Sequence, residues 1–231
     1  MLVPPVSQDA QVINNLFLIL YVFSAVVFVF VEGLLVYSVV RFRRRTANDA
    51  PTQVHSHRGL EALWTVLPIL LVAVIFLFSV NAMTSLQATG TFNDPLNHVH
   101  GINDQVAIKR VSEAKKVDMV IQVTARQWVW QFKYPDAGFV VNQDLVVPEG
   151  KTIRLDIVSA DVIHAWWVPA LGGMIYVNPG EMSHIWFNAP AGLYKGQCNV
   201  FCGLAHAQMY SNVKVLSQAD YDAWYAQQKS K

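Results

Sequence analysis

The chain has 231 residues, 53% of them hydrophobic and only 14% charged, which is too apolar for an ordinary soluble domain of this length. Its net charge of +1 comes with no basic patch interleaved with aromatics, which excludes a nucleic-acid binder. Cys198 and Cys202 are its only cysteines, so there is neither a small secreted disulfide framework nor a Cys-x-x-Cys-His attachment for a c-type haem.

From the N-terminus, residues 1–15 read as an external segment, and Leu16 to Val40 is apolar over about the ~20 residues that cross a bilayer. A signal peptide is excluded by the absence of Lys or Arg before Leu16, by the length of the run and by the lack of a small-residue cleavage site. Arg41, Arg43, Arg44 and Arg45 follow directly. A second apolar run, Leu63 to Val80, comes after a connection over 41–62, so residues 16–84 form a transmembrane helix hairpin with spans at about 16–40 and 63–80. The arginines in the connection, and the lack of Lys or Arg after Val80 until Lys109, put that loop in the cytoplasm and both termini outside. Glu32 lies at membrane depth and reads as a hydrogen-bonding partner of a neighbouring helix, while Glu61 sits at the mouth of the second span. Pro68 reads as a tolerated kink.

Residues 85–116 mix Asn, Asp, Gly and His and read as a linker, with His98 and His100 as solvated loop histidines. From Val117 the pattern becomes alternating. Val117, Met119, Ile121 and Val123 share one parity, and similar runs recur at Phe139 to Val147, Ile153 to Val158, Ile185 to Phe187 and Asn212 to Val215, separated by Pro and Gly turns. Short strands at this spacing predict a β-sandwich or barrel over 117–216. Ser217-Gln218-Ala219-Asp220 reads as a cap opening a short terminal helix, Gln218 to Gln228, within a tail of 217–231.

The chemistry concentrates in Cys198 to Met209. Two thiols, the His206 imidazole and the Met209 thioether in one loop are soft and borderline ligands of the kind that hold copper and discriminate against magnesium or calcium. His164, beyond the strand Ile153 to Val158, is placed to supply a ligand from a distant strand end. A single blue copper takes one Cys, so this inventory has one thiolate too many, and two thiolates bridging two copper ions resolve the count. A Cys198–Cys202 disulfide, a structural zinc site of two Cys and two His, and buried inert thiols are the competing readings. The zinc reading leaves Met209 without a role.

Four stretches then resemble, in order and over essentially the whole chain, subunit II of the haem-copper cytochrome c oxidases. Glu61-Ala62-Leu63-Trp64-Thr65-Val66-Leu67-Pro68 is similar to the opening of that family's second transmembrane helix, and Gln127 to Tyr134 to its aromatic stretch. Asp161-Val162-Ile163-His164-Ala165-Trp166 is similar to its upstream His segment, and Gly192 to Cys198, with Cys202-Gly203, His206 and Met209, to its CuA-binding segment. The resemblance implies a cupredoxin-like Greek-key β-sandwich on the membrane anchor. It implies a binuclear copper centre held by the side chains of His164, Cys198, Cys202, His206 and Met209 and the backbone carbonyl of Val200. Electrons from cytochrome c, or another cytochrome donor, would enter at Trp128, with Trp130 at the same strand parity competing for that place. They would leave to haem in subunit I, which carries CuB, in a complex that also contains subunit III and membrane lipid. Glu61 would stand near the mouth of a proton path that belongs mainly to subunit I, and the chain would lie in a bacterial inner membrane with its copper domain on the periplasmic side. Val200 and Tyr176 stand where many members carry Glu and Asp, so the usual interface magnesium ion is not expected. Asp136, Asp144, Glu149, Asp156 and Asp161 are candidates for an acidic docking face. The copper domain of a nitric oxide or nitrous oxide reductase, and a membrane-tethered copper carrier or sensor, are the alternative functions. A quinol oxidase subunit is a further relative, but one that lacks these ligands.

Overall fold

The computed structural model describes residues 4–43, 56–89, 116–134, 136 and 138–230. Two long helices come first, α1 (Gln8–Arg41) and α2 (Arg58–Thr89). Both run past the apolar windows seen in the sequence, because hydropathy marks the part at hydrocarbon depth and not the helix ends. At 1.5 Å per residue, the 34 residues of α1 give about 51 Å, against about 30 Å of hydrocarbon. Within the apolar windows of both helices no side chain is buried, as lipid-facing or partner-facing spans require. Glu32 is exposed on α1. At the head of α2, His57 Nδ1 accepts the Leu60 N–H at 3.1 Å, and the Glu61 carboxylate accepts the His57 N–H at 3.3 Å. This reciprocal cap satisfies two N–H groups of the helix start. His98, His100 and nearly all of the 85–116 linker lie outside the described residues.

The chain divides into two units, Asn15–Ala82 and a second that joins Met1–Asn14 to Met83–Lys231. Residues before the first span thus belong with the β domain, which the sequence alone does not suggest. The Val6 N–H donates to Ala170 O at 3.0 Å, the Ser7 hydroxyl to Leu171 O at 2.6 Å, and the Ala10 N–H to Ser7 Oγ at 3.1 Å. Ser7, Asp9 and Ala10 are buried there.

Among the described residues, the β domain has eleven strands in three sheets. The largest orders β3 (Val140–Asn142), β2 (Val129–Lys133), β1 (Met119–Arg126), β5 (Ile153–Ser159) and β8 (Met182–Phe187). A second orders β10 (Gln197–Cys198), β6 (His164–Val168) and β7 (Gly172–Val177), and a third β4 (Asp144–Pro148), β11 (Asn212–Leu216) and β9 (Gly192–Tyr194). Alternation reads correctly where it is regular: Ile121, Val123, Ile153, Leu155 and Ile157 all point into one core. Two pairings, β1 with β5 and β4 with β11, are parallel, which a period of two cannot distinguish from antiparallel. The predicted run Phe139 to Val147 is broken at Gln143, whose φ of 70° turns the chain out of one sheet and into another while its N–H donates to Trp130 O at 2.8 Å. The terminal helix α3 (Gln218–Lys229) is capped by Ser217 Oγ, which accepts the Asp220 N–H, and its Trp224 and Tyr225 pack on Tyr134 and Phe139.

Three of the five carboxylates expected to form an acidic face are engaged by their own neighbours. Asp144 meets Lys214 Nζ and Asn212, Asp161 meets His164, and Asp156 takes Arg154 Nε at 2.8 Å and His184 Nδ1 at 2.7 Å. Burial alone would raise the Asp156 carboxyl, but His184 and Arg154 outweigh it and hold the group below the ordinary carboxylate value.

Two measurements check this fold. Gly172 has φ +78°, and a Cβ there would lie 2.8 Å from the backbone nitrogen of Ala10, so Gly172→Ala should destabilise the full chain in detergent by about 1–3 kcal/mol. An unchanged thermal midpoint would show that the N-terminal turn does not dock at this glycine. Because the folded pKa of Asp156 is depressed, its stabilisation is complete above the unfolded carboxylate value and is lost as pH falls through the folded one. Asp156→Asn should therefore cost about 1–3 kcal/mol at neutral pH and flatten the acid limb of the stability profile. Parallel acid limbs for variant and parent would rule this out.

Candidate metal centre

Strand pairing carries distant parts of the chain to one point. β10 pairs with β6 so that Cys198 lies opposite Trp166 and Gln197 opposite Trp167, and the Cys198 N–H donates to Met209 O at 2.9 Å. His164 opens β6, and its Nδ1 stands 3.9 Å from Cys198 Sγ. From Cys198 the loop turns back through a 3-10 turn (His206–Gln208) into β11. This places Cys202 Sγ 3.4 Å from His206 Nδ1 and 3.8 Å from Met209 Sδ. The Cys198 thiol lies 3.3 Å from Val200 O. All six predicted donors are thus brought together, and the ligating atoms of His164, Cys198 and Cys202 lie within 4.8 Å of one another.

The charge pattern is that of an ion site. Burial raises both thiols, but at Cys198 the hydrogen bond with His164 and nearby backbone groups reverse this and bring it well below the ordinary thiol value. Cys202 goes the other way, raised by burial and then by the neighbouring Cys198 charge. Two sulfurs this close oppose each other's ionisation, and a cation bound there would favour both as thiolates. His164 is oriented by Asp161, whose Oδ1 meets Nε2 at 2.8 Å and leaves Nδ1 facing the sulfurs. Burial would lower the His164 value, but Cys198 and Asp161 raise it.

Both cysteines are free, so the disulfide alternative is not what this structure contains. A structural zinc site would use two thiols and two imidazoles and leave Met209 and the Val200 carbonyl, which are equally close, without a part. Two copper ions sharing both thiolates use the whole donor set, so the residues fit that group.

The two tryptophans separate by burial. Trp130 is 0% exposed, with its ring 6.0 Å from His164, so no partner protein can touch it. Trp128 is only partly buried, and its indole N–H donates to Cys202 O at 3.2 Å. A neighbouring donor that sequence reasoning missed is Gln127, whose Nε2 reaches the same carbonyl at 2.8 Å. The loop also exposes Phe201 at 80% and Leu204 at 99%. Val200 is half-buried and Tyr176 is exposed on β7. Glu61 is part of the membrane unit.

Comparison with known proteins adds the family. Residues 3–82 match the family model for the cytochrome c oxidase subunit II transmembrane domain, and residues 138–216 match that for its periplasmic domain. The chain is similar to a cytochrome c oxidase subunit 2 of Alkalihalophilus pseudofirmus, with 33% identity over 226 residues, 95% of this chain and 59% of that one. It is also similar to one of Bacillus sp. strain PS3, with 32% identity over 79% of this chain and 49% of that one. The chain thus spans about half the length of these curated relatives. Among solved structures, the periplasmic domain of subunit II of cytochrome oxidase from Bradyrhizobium japonicum is 33% identical, covers 49% of this chain and 95% of its own, and has a TM-score of 0.48. The two family models follow one another as the structure does, membrane helices first and β domain second, and both describe one subunit: the chain belongs to the subunit II family of the cytochrome c oxidases.

Proposed function

We propose that the chain is the subunit through which electrons enter a terminal oxidase, and that a binuclear copper centre held by His164, Cys198, Val200 O, Cys202, His206 and Met209 receives them from cytochrome c. The observation that carries this reading is the convergence of all six donors, from β6 and from the loop between β10 and β11, on two neighbouring thiols. Copper held by these residues would supply one-electron redox chemistry. Everything else falls to the protein. Asp161 orients His164, strand pairing fixes Cys198, and the buried surroundings of Met209 exclude water from its side of the centre. Trp128 supplies an aromatic contact between the domain surface and the Cys202 peptide.

On this reading the electrons go to haem in subunit I, where oxygen is reduced and proton pumping is driven, within a complex that also holds subunit III. The β domain lies on the periplasmic side of a bacterial inner membrane. Glu61 enters the same proposal as the acid at the mouth of a proton path, and its bond to the His57 N–H is a capping role from which any substitution must be separated. No magnesium ligand is assigned to Val200 or Tyr176.

Metal analysis of the full chain purified in detergent tests the reading. Two copper ions per chain with a mixed-valence paramagnetic signal are expected, and Cys202→Ser should collapse that signal to a single-copper type. One copper with an ordinary four-line signal, or zinc, would sink the binuclear centre. Readily exchangeable Cu(I) would favour a copper carrier instead.

A further inference from the structure

We propose that Gln127 is a positioning residue for electron uptake: its side-chain amide and the Trp128 indole together clamp the Cys202 carbonyl and so hold the indole against the ligand loop. The inference rests on the copper reading above. Gln127 and Trp128 are the two turn residues between β1 and β2, where Arg126 pairs with Val129. Gln127 Nε2 donates to Cys202 O at 2.8 Å and Trp128 Nε1 at 3.2 Å, so the two donors match the two lone pairs of that oxygen.

The same residue is tied to the other arm of the site. Its backbone N–H donates to Asp161 Oδ2 at 2.6 Å, and the second oxygen of that carboxylate holds His164 Nε2 at 2.8 Å. Gln127 therefore links the imidazole arm through its backbone and the Cys202 arm through its side chain. Gly203 makes the approach possible. With φ +120° it has no Cβ where one would stand 2.9 Å from Gln127 Nε2 and 3.1 Å from the Trp128 ring.

An amide is neither a redox centre nor, here, a ligand, so Gln127 acts through Trp128 and Cys202. One electron leaves a reduced cytochrome, which becomes oxidised, and reduces the ligated metal; no bond forms or breaks and no proton moves. The clamp has two effects on that step. It restricts the indole to one contact with the ligand peptide, and it withdraws electron density from a ligand residue, which favours the reduced, more electron-rich centre.

Gln127→Met and Gln127→Glu keep the length of the side chain and cannot donate at neutral pH. In the assembled oxidase, each should slow uptake from reduced cytochrome c by about fivefold in stopped flow, lower the midpoint potential of the centre and leave its copper content intact. In a Trp128→Phe background the further slowing should be under about twofold while the potential still falls, because the indole contact is already lost and the bond from Gln127 to Cys202 O is not. Gly203→Ala, which presses on both donors from the opposite side, should reproduce the slowing and covers the case in which the Gln127 variants fail to assemble. An unchanged rate and potential, or equal slowing in both backgrounds, overturns the inference. A parent oxidase without the mixed-valence signal overturns the copper reading and this inference with it. A parent signal with indifferent variants overturns this inference alone.

Discussion

The short pairing of β10 with β6 is the contact on which the rest of the site depends. Two residue pairs, Gln197 with Trp167 and Cys198 with Trp166, bring the Cys198 thiol beside His164, which opens β6. Backbone bonds from Cys198 N to Met209 O and from Asn199 N to Ala165 O then close the loop onto the same strand. The approach is close enough to dictate composition. A Cβ on Gly196 would meet Val168 Cγ2 at 2.5 Å and Ser211 O at 2.6 Å, so the residue two before the first thiol must be glycine for β6, β10 and the start of β11 to meet.

Such a site is rigid for an electrostatic reason as well as a steric one. Two buried sulfurs close together oppose each other's ionisation, so the charge that His164 favours on Cys198 adds to burial in raising Cys202. A protein that folded its ligands around the ion only on arrival would have to order the loop at that moment. Here the backbone bonds from Cys198 and Asn199 tie the loop down independently of any ion.

What could be read from the sequence tracks how local each interaction is. The loop from Cys198 to Met209 announces itself because its soft donors fall within one short segment, and the Asp161–His164 contact spans only three residues. The membrane spans are legible because hydropathy measures the very property the bilayer selects. The Gln127 contact with Cys202 crosses 75 residues and the Ser7 contact with Leu171 crosses 164, and neither residue type carries a pattern that would announce its partner. The break at Gln143 falls among three consecutive polar residues, Asn142, Gln143 and Asp144, a run that by itself does not say that the chain there leaves one sheet for another. Hairpin-like proximity likewise gave no hint of the parallel pairings, since β1 meets β5 only after β2, β3 and β4 have intervened.

Trp128 and Trp130 show how burial decides what spacing cannot. They share a strand parity, and both lie beside the metal donors, one against the Cys202 peptide and the other edge-on to His164. Trp130 is sealed in the core, so whatever electronic contact it makes with His164 ends inside the domain. Trp128 occupies the turn and keeps part of its ring at the surface, while the carboxylates once expected to define a charged face there are partly taken up by Lys214, Arg154, His184 and His164. On the proposed reading, the contact between the surface and the ligand loop runs through the turn, where Gln127 and the Trp128 indole meet the same carbonyl.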